Sequence, residues 1–310
     1  MNKDWWFWAM ANSKNKPGVL RPVWLIPLAL VGVGLIIFLL MRISDVALLS
    51  PKGLIAREQL NLMTFSITVL LFIAIPTLFL VYFFAWRYRE TNDKVAHDPN
   101  ASRGKLFAFG VWVIPAVVVV ILSSAVLPAT FSLDPHKAIA SNTAPLTIQV
   151  IALRWKWLFV YPAQNIATVN FVQIPVGTPV QFELTADQVP MSSFWIPHLG
   201  GQLYAMTGMD NRINLMADTA GDFSGASAEI NGAGFAGMKF TTRASSIQDF
   251  DGWVQNLKSS SDVLDVSRYN KLLAPSEYNP ASYYSWVVPG LYERVILKYM
   301  NSSGSQAVAL

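Results

Sequence analysis

Residues 23–41, 62–86 and 106–133 carry no charged side chain. Runs of this length constrain the fold more than any other feature of the chain. A helix that crosses a bilayer needs about 20 apolar residues, because its backbone must satisfy its own hydrogen bonds once water is left behind. Composition agrees: only 14% of the residues are charged, against about 25% in ordinary soluble domains. Pro76 and Pro115 lie inside the second and third runs, which neighbouring helices make tolerable. The linker between these two runs, RYRETNDKVAHDPNASRGK, is polar and too short to be a domain. The second and third runs are therefore expected to form a transmembrane helix hairpin.

Orientation follows from the basic residues of the short loops. Lys3, Lys14, Lys16 and Arg21 precede the first run, and Arg87, Arg89, Lys94, Arg103 and Lys105 lie between the second and third. Between the first and second runs only Lys52 and Arg57 appear, apart from Arg42 at the boundary. The basic segments thus belong inside, and everything after about residue 130 outside, in the periplasm of a bacterium. The first run has two readings, a retained anchor or the apolar core of a signal peptide. Its nineteen uncharged residues exceed the roughly 7–15 of a signal core. Asp45 also sits where a small residue would be wanted before cleavage, so the retained anchor is favoured.

From about residue 145 the pattern changes to short runs rich in Val, Ile, Thr and aromatics: LTIQVIAL, WKWLFVYP, ATVNFVQIP, TPVQFELTA and NRINLMA. Pro, Gly, Asn and Asp punctuate them, which predicts a β-sandwich or barrel. In QFELTA, Phe182 and Leu184 should face one way and Glu183 and Thr185 the other. Trp155 and Trp157 are expected to alternate on one strand and face one side of the sheet, packing rather than acting. After about Ser245, apolar residues recur at helical intervals, as at Phe250, Val254 and Leu257. LYERVILKYM reads as a last short helix and NSSGSQAVAL as a frayed tail.

One loop stands apart. Residues 225–240, GASAEINGAGFAGMKF, place Ser227, Asn231, Phe235 and Met238 at intervals of four, four and three in a Gly-rich turn. That is how a chain wraps several ligands around one metal, yet Ser, Asn and Phe are poor ligands for copper.

The order of parts resembles subunit II of the haem–copper respiratory oxidases, a helix hairpin followed by a cupredoxin-like barrel. In the cytochrome c oxidase branch the barrel holds a two-copper centre, and its ligand loop reads Cys-x-Glu-x-Cys-x-x-x-His-x-x-Met. Here Ser227 and Asn231 stand at the Cys positions and Phe235 at the His position, while Glu229 and Met238 are kept. The further His of that family, before the run SSFWIPHLG, is replaced by Ser192. Glu229 contributes a backbone carbonyl in the copper-binding relatives, and it is expected to hydrogen-bond within the loop here. The branch without the copper centre is the quinol oxidases, typified by the cytochrome bo-type ubiquinol oxidase. ALLSPKGLI, FAWRYRETN, RWKWLFVYP, IATVNFVQIP, LGGQLYAMTGMDNRINLMA, GFAGMKF and LLAPSEYNPASYY all look like that subunit.

The resemblance implies a membrane-anchored α+β chain in four parts. These are residues 1–44 (anchor or signal), 45–133 (helix hairpin), 134–244 (periplasmic cupredoxin-like Greek-key barrel without copper) and 245–310 (aromatic-rich helical region). It implies no catalytic or cofactor-binding residue in this chain. Haems and one copper would reside in the partner subunit I, together with further small membrane subunits, and ubiquinol would arrive from the bilayer. No nucleic-acid partner is expected. Nor is cytochrome c: from Asp134 to Phe240 there are seven acids against five bases, a weak field for docking a basic protein.

Two departures from the relatives stand out. Many carry a lipidated Cys near the position of Ser44, and this chain has no cysteine. Many also place a Glu near the inner end of the last membrane helix, at the mouth of a proton path, whereas no acid lies between Asp98 and Asp134 here. His198 is expected to be an exposed loop histidine, and His97 and His136 to be solvated. Two other readings stand beside this one, an oxidase fed by cytochrome c through another relay and a free-standing membrane-tethered cupredoxin-like module.

Overall fold

The computed structural model describes residues 25–43, 46–89, 92, 104–189 and 191–306. The expectations for residues 1–24, for Ser44 and Asp45, and for His97 within the hairpin linker lie outside the described residues. The chain divides into two compact units. One contains α1 (Leu25–Ile43) and the part of α2 (Leu54–Arg87) from Ile75 onward. The other contains the first part of α2, α3 (Lys105–Ser132) and all that follows. Both α2 and α3 are long and apolar enough to cross a membrane. Pro76 lies within α2, and Pro115 and Pro128 within α3.

Thirteen strands follow among the described residues. β1 (Leu146–Leu153), β2 (Lys156–Tyr161), β3 (Ile166–Val169), β5 (Val180–Ala186), β8 (Asn211–Leu215) and β12 (Ser282–Tyr284) form a six-stranded sheet in the order β12-β3-β2-β1-β5-β8. β4 (Phe171–Pro175), β6 (Met191–Trp195), β7 (Gln202–Met206), β9 (Gly221–Ser227) and β10 (Lys239–Ser245) form the second, ordered β4-β10-β9-β6-β7. β11 (Val263–Leu264) pairs with β13 (Trp286–Val287). Crossovers make β1–β5 and β4–β10 parallel, and the two sheets form a cupredoxin-like sandwich. The run ATVNFVQIP, expected to be one strand, is two. Asn170 takes a left-handed φ of 55°, and the chain steps there from β3 in one sheet to β4 in the other. Asn can adopt that conformation where a β-branched residue would be strained.

Between the sheets lies an aromatic core. Trp157, Phe159, Phe182 and Phe194 are fully buried, and Phe194 stacks on Phe240 at 5.2 Å between centroids. Phe182 and Leu184 face this core as expected, while Glu183 is half-buried. The six-stranded sheet is also covered on its other face. There Ile151, Leu153, Leu158 and Val160 pack with Leu264, Tyr269, Leu291, Tyr292 and Val295 of the C-terminal region. A strand buried on both faces needs no polar alternation, which accounts for the unbroken apolar run of residues 150–153 at the end of β1.

The C-terminal region contains α4 (Ile247–Lys258), α5 (Val266–Leu272) and α6 (Leu291–Gln306). Ser246 caps α4, its hydroxyl accepting from the Asp249 N–H at 3.1 Å, a standard N-cap. Phe250, Val254 and Leu257 are the buried stripe of α4. α6 runs on to Gln306, so the first six residues of the segment read as a frayed tail are helical.

The start of α2 is fastened to the barrel through its backbone. Lys52 N–H donates to His198 O at 2.8 Å, Ala56 N–H to Leu199 O at 3.1 Å, and Asp218 N–H to Lys52 O at 2.8 Å. A Cβ on Gly53 would lie 2.7 Å from Met216 O, so only glycine lets the two backbones approach this closely. Arg57 pairs with Asp218 alongside.

Candidate functional site

The conspicuous loop is the β9–β10 connection, residues 228–238. It is built on the pairing of β6 with β9, in which Phe194 faces Ser227, and it contains a 3-10 helix from Ala233 to Gly237. Its backbone is tied down by Ala228 N–H to Ser193 O at 3.0 Å, Ser227 N–H to Met238 O at 3.2 Å and Met238 N–H to Phe235 O at 3.0 Å. Two glycines let it lie flat on one indole. Gly232 has φ of 120°, and a Cβ on Gly234 would meet the Trp155 ring at 2.4 Å. Trp155 Nε1 donates to Asn231 O at 3.4 Å.

Trp155 and Trp157 do not share a strand face, contrary to expectation. Trp155 is in the turn before β2, with φ of 61°, and supports the loop. Trp157 is fully buried in the core. A strand starting one residue later than the apolar pattern suggests is enough to separate them.

Ser192, Asn231 and Met238 are brought into direct contact. Asn231 Nδ2 donates to Ser192 Oγ at 2.9 Å and to Met238 Sδ at 3.0 Å. Ser227 Oγ donates to Glu229 O at 3.0 Å. Ser192 and Met238 are completely buried, and Ser227 nearly so. Phe235 is half-buried within the 3-10 helix. The Glu229 carboxylate reaches outside the loop rather than within it, accepting from Tyr204 OH of β7 at 3.4 Å. Asn231 Oδ1 is shielded from solvent and has no partner among the described residues.

This donor set does not fit a two-copper centre. Copper prefers thiolate, imidazole and thioether, and here hydroxyls, an amide and a phenyl ring accompany a single thioether. That thioether already accepts a hydrogen bond from the amide. Among the described residues, no three His, Cys, Asp or Glu side chains cluster as metal ligands.

The histidines lie elsewhere. His136 is exposed, with Nδ1 3.2 Å from Asp134 Oδ1; hydrogen bonds from its backbone and ring hold the Asp134 carboxyl below the usual range. His198 is half-buried rather than exposed. Its ring lies 5.5 Å from that of Phe223, and its Nδ1 is shielded without a partner among the described residues.

A second polar centre had no signal in the sequence. Asp187, 1% exposed, accepts from Tyr269 OH at 2.7 Å, Lys298 Nζ at 2.7 Å and Tyr299 OH at 2.6 Å. Burial, then the Asp187 charge and hydrogen bond, push the Tyr269 phenol well above its ordinary value. For Lys298, burial pulls its pKa down, but the Asp187 bond and charge outweigh it and the net direction is up. Lys156 Nζ donates to Leu272 O and Ala274 O, each at 2.9 Å, while desolvation lowers its pKa. Tyr292 OH donates to Asp210 Oδ1 at 2.8 Å. These contacts hook the C-terminal helices onto the barrel.

Comparison with known proteins matches residues 163–245 to the cytochrome c oxidase subunit II periplasmic domain and residues 258–303 to the COX aromatic-rich motif. Among solved structures, the periplasmic domain of subunit II of cytochrome oxidase of Bradyrhizobium japonicum is 23% identical, with a TM-score of 0.36, over 40% of this chain and 96% of that one. Ubiquinol oxidase subunit 2 of Acetobacter aceti is 41% identical over 86% of this chain and 87% of its own length. Cytochrome bo(3) ubiquinol oxidase subunit 2 of Pseudomonas putida is 43% identical over 81% of this chain and 80% of its own length. On these identities, sustained across both chains, the protein belongs to the ubiquinol oxidase subunit 2 family.

Proposed function

We propose that this chain is the non-catalytic second subunit of a proton-translocating ubiquinol oxidase, and that its barrel caps and stabilises the complex without carrying electrons. The observation that supports this most is the Asn231 amide bridging Ser192 Oγ and Met238 Sδ. Three positions that hold copper ligands in the resembling branch, 192, 231 and 238, are here joined through one amide. A lipid-soluble donor reaches its oxidant from within the bilayer and needs no external copper relay, so the loop is free to persist as a structural element. On this reading haems and one copper in subunit I supply the redox chemistry. The chain lies in the bacterial inner membrane with α2 and α3 spanning it and the barrel in the periplasm, and further small membrane subunits complete the complex. Residues 134–244 form the copper-free barrel domain and residues 245–310 the aromatic-rich appendix.

Oxygen uptake by the complex purified through this subunit tests the proposal. Rapid uptake with ubiquinol and none with reduced cytochrome c is the expected result. Uptake with cytochrome c would require another electron relay and overturn the structural role given to the loop. A preparation with neither activity nor haem would point to a free-standing binding module.

A further inference from the structure

One turn before the charge-free part of α2 stands a carboxylate with no partner. Glu58 is exposed and makes no side-chain hydrogen bond or ion pair among the described residues, whereas its neighbour Arg57 is engaged by Asp218. Glu58, Asn61, Leu62 and Phe65 follow one another at helical spacing, so they share one face of α2. Opposite them on α3 lie Ala125 and Ala129, and the four α2 residues line a groove of about 220 Å³ with them. The groove is polar at the end nearest the barrel, where Glu58 and Asn61 are joined by Ser132 of α3. It is apolar toward the middle of the helices, where Leu62 and Phe65 face the two small alanines.

We propose that this groove holds a phospholipid whose headgroup carries an ammonium, with Glu58 as its counter-ion. This rests on the reading of α2 and α3 as membrane-spanning. Three observations favour that occupant. The polar-to-apolar order of the lining matches an amphiphile entering from the water boundary. An unpaired carboxylate at that boundary complements a cation and repels an anionic headgroup. A volume of about 220 Å³ accommodates a length of acyl chain but not a packed helix, whose diameter with side chains is about 10–12 Å. Alanines at 125 and 129 keep the floor open; larger side chains there would fill it.

The test uses the intact oxidase complex in bilayer nanodiscs. These contain either phosphatidylethanolamine or phosphatidylglycerol, each with a photoreactive diazirine high or low on one acyl chain. Cross-links are mapped by mass spectrometry. Phe72 and Trp112, 81% and 80% exposed, are reference sites in the middle of the spans. Relative to these, the ethanolamine lipid should label the groove residues about three- to fivefold more than the glycerol lipid, the range expected for one interfacial charge pair. Glu58→Gln should abolish that preference, and Glu58→Lys should reverse it. Equal labelling by both lipids, or a preference that survives Glu58→Gln, would overturn the proposal. So would labelling at Phe72 and Trp112 with none in the groove, since a protein segment would then cover it. Absence of labelling at Phe72 and Trp112 as well as in the groove would mean that these faces are covered by partner subunits or lie outside the bilayer, and would overturn the proposal too.

Discussion

The side-chain amide of Asn231 lies 3.0 Å from Met238 Sδ, and its second proton reaches Ser192 Oγ at 2.9 Å. One neutral group thus joins β6, the β9–β10 loop and the residue that leads into β10. Replacing Asn231 by Leu removes both bonds and leaves a buried hydroxyl unsatisfied. The expected cost is about 1–3 kcal/mol, read as a lower midpoint in thermal unfolding of the full chain in detergent. Asn231→Asp should cost at least as much at neutral pH, because a carboxylate cannot donate to either partner. Unchanged midpoints for both variants would mean that the loop is held by its backbone alone.

The loop's fit against Trp155 gives a second expectation. A methyl group at residue 234 would overlap the indole at 2.4 Å, and the ring is itself fixed by a turn residue with φ of 61°. Gly234→Ala should therefore destabilise the chain by about 1–3 kcal/mol, the usual cost of overpacking. Gly252→Ala is the control: it lies in the same chain, on a helix face where a Cβ meets nothing within 4 Å, and it should be neutral or slightly stabilising. Equal effects of the two substitutions would contradict the packing account.

These two cases show what was legible in the sequence and what was not. The ligand-like spacing singled out the loop, and its Gly-rich turns were legible because glycine positions are a local property of the sequence. That Asn231 closes the network was not legible, since Ser192 is remote in sequence and arrives through the β6–β9 pairing. β1 matched its apolar run residue for residue because both of its faces are buried. β9 escaped notice: GDFSGAS is small and polar, buried only at Phe223, Gly225 and Ser227. Asp187 gave no signal either, since three of its partners lie 82, 111 and 112 residues away.

The phenols that bind Asp187 and Asp210 predict an alkaline weakness. The Tyr269 and Tyr292 phenols are both pushed above the ordinary value of 10, burial being the first cause in each. A group whose pKa is raised by folding binds more protons in the folded state above its unfolded value. Stability contributed by these phenols is therefore full below pH 10 and declines as pH rises beyond it. Lys298, raised overall, acts in the same direction above its ordinary 10.5, whereas Lys156, lowered by desolvation, acts in the opposite one. Burial raises the Tyr161 phenol in the barrel core as well, but α5 and α6 together carry three raised phenols and Lys298, so hydrogen exchange should show them opening before the barrel as pH is raised past 10. Simultaneous opening of barrel and helices would contradict it.

Removing the node itself should have the same regional effect at neutral pH. Asp187→Ala removes the buried acceptor shared by Tyr269, Tyr299 and Lys298, a loss of roughly 2–4 kcal/mol. Faster exchange and protease cleavage confined to α5 and α6 are expected, with the aromatic core of the barrel still protected. Protection lost everywhere would mean that the barrel cannot stand without its C-terminal cover, an outcome that the doubly buried six-stranded sheet makes a real alternative to measure.

The strictest test of the loop is to give it ligands. Ser192→His, Ser227→Cys, Asn231→Cys and Phe235→His, with Met238 retained, would restore thiolates, imidazoles and a thioether at the intervals found in the copper-binding branch. Ser192 and Met238 already meet through a single amide, and the backbone bonds of residues 227, 228 and 238 do not involve the side chains replaced. The quadruple variant should therefore retain a pair of copper ions through dialysis and absorb visible light, while the unaltered chain treated alike should do neither. Each single variant lacks a complete ligand set and should lose copper on dialysis. A folded quadruple variant that holds no copper would show that the loop backbone has moved away from ligand geometry, and that the shared spacing is only a trace of ancestry.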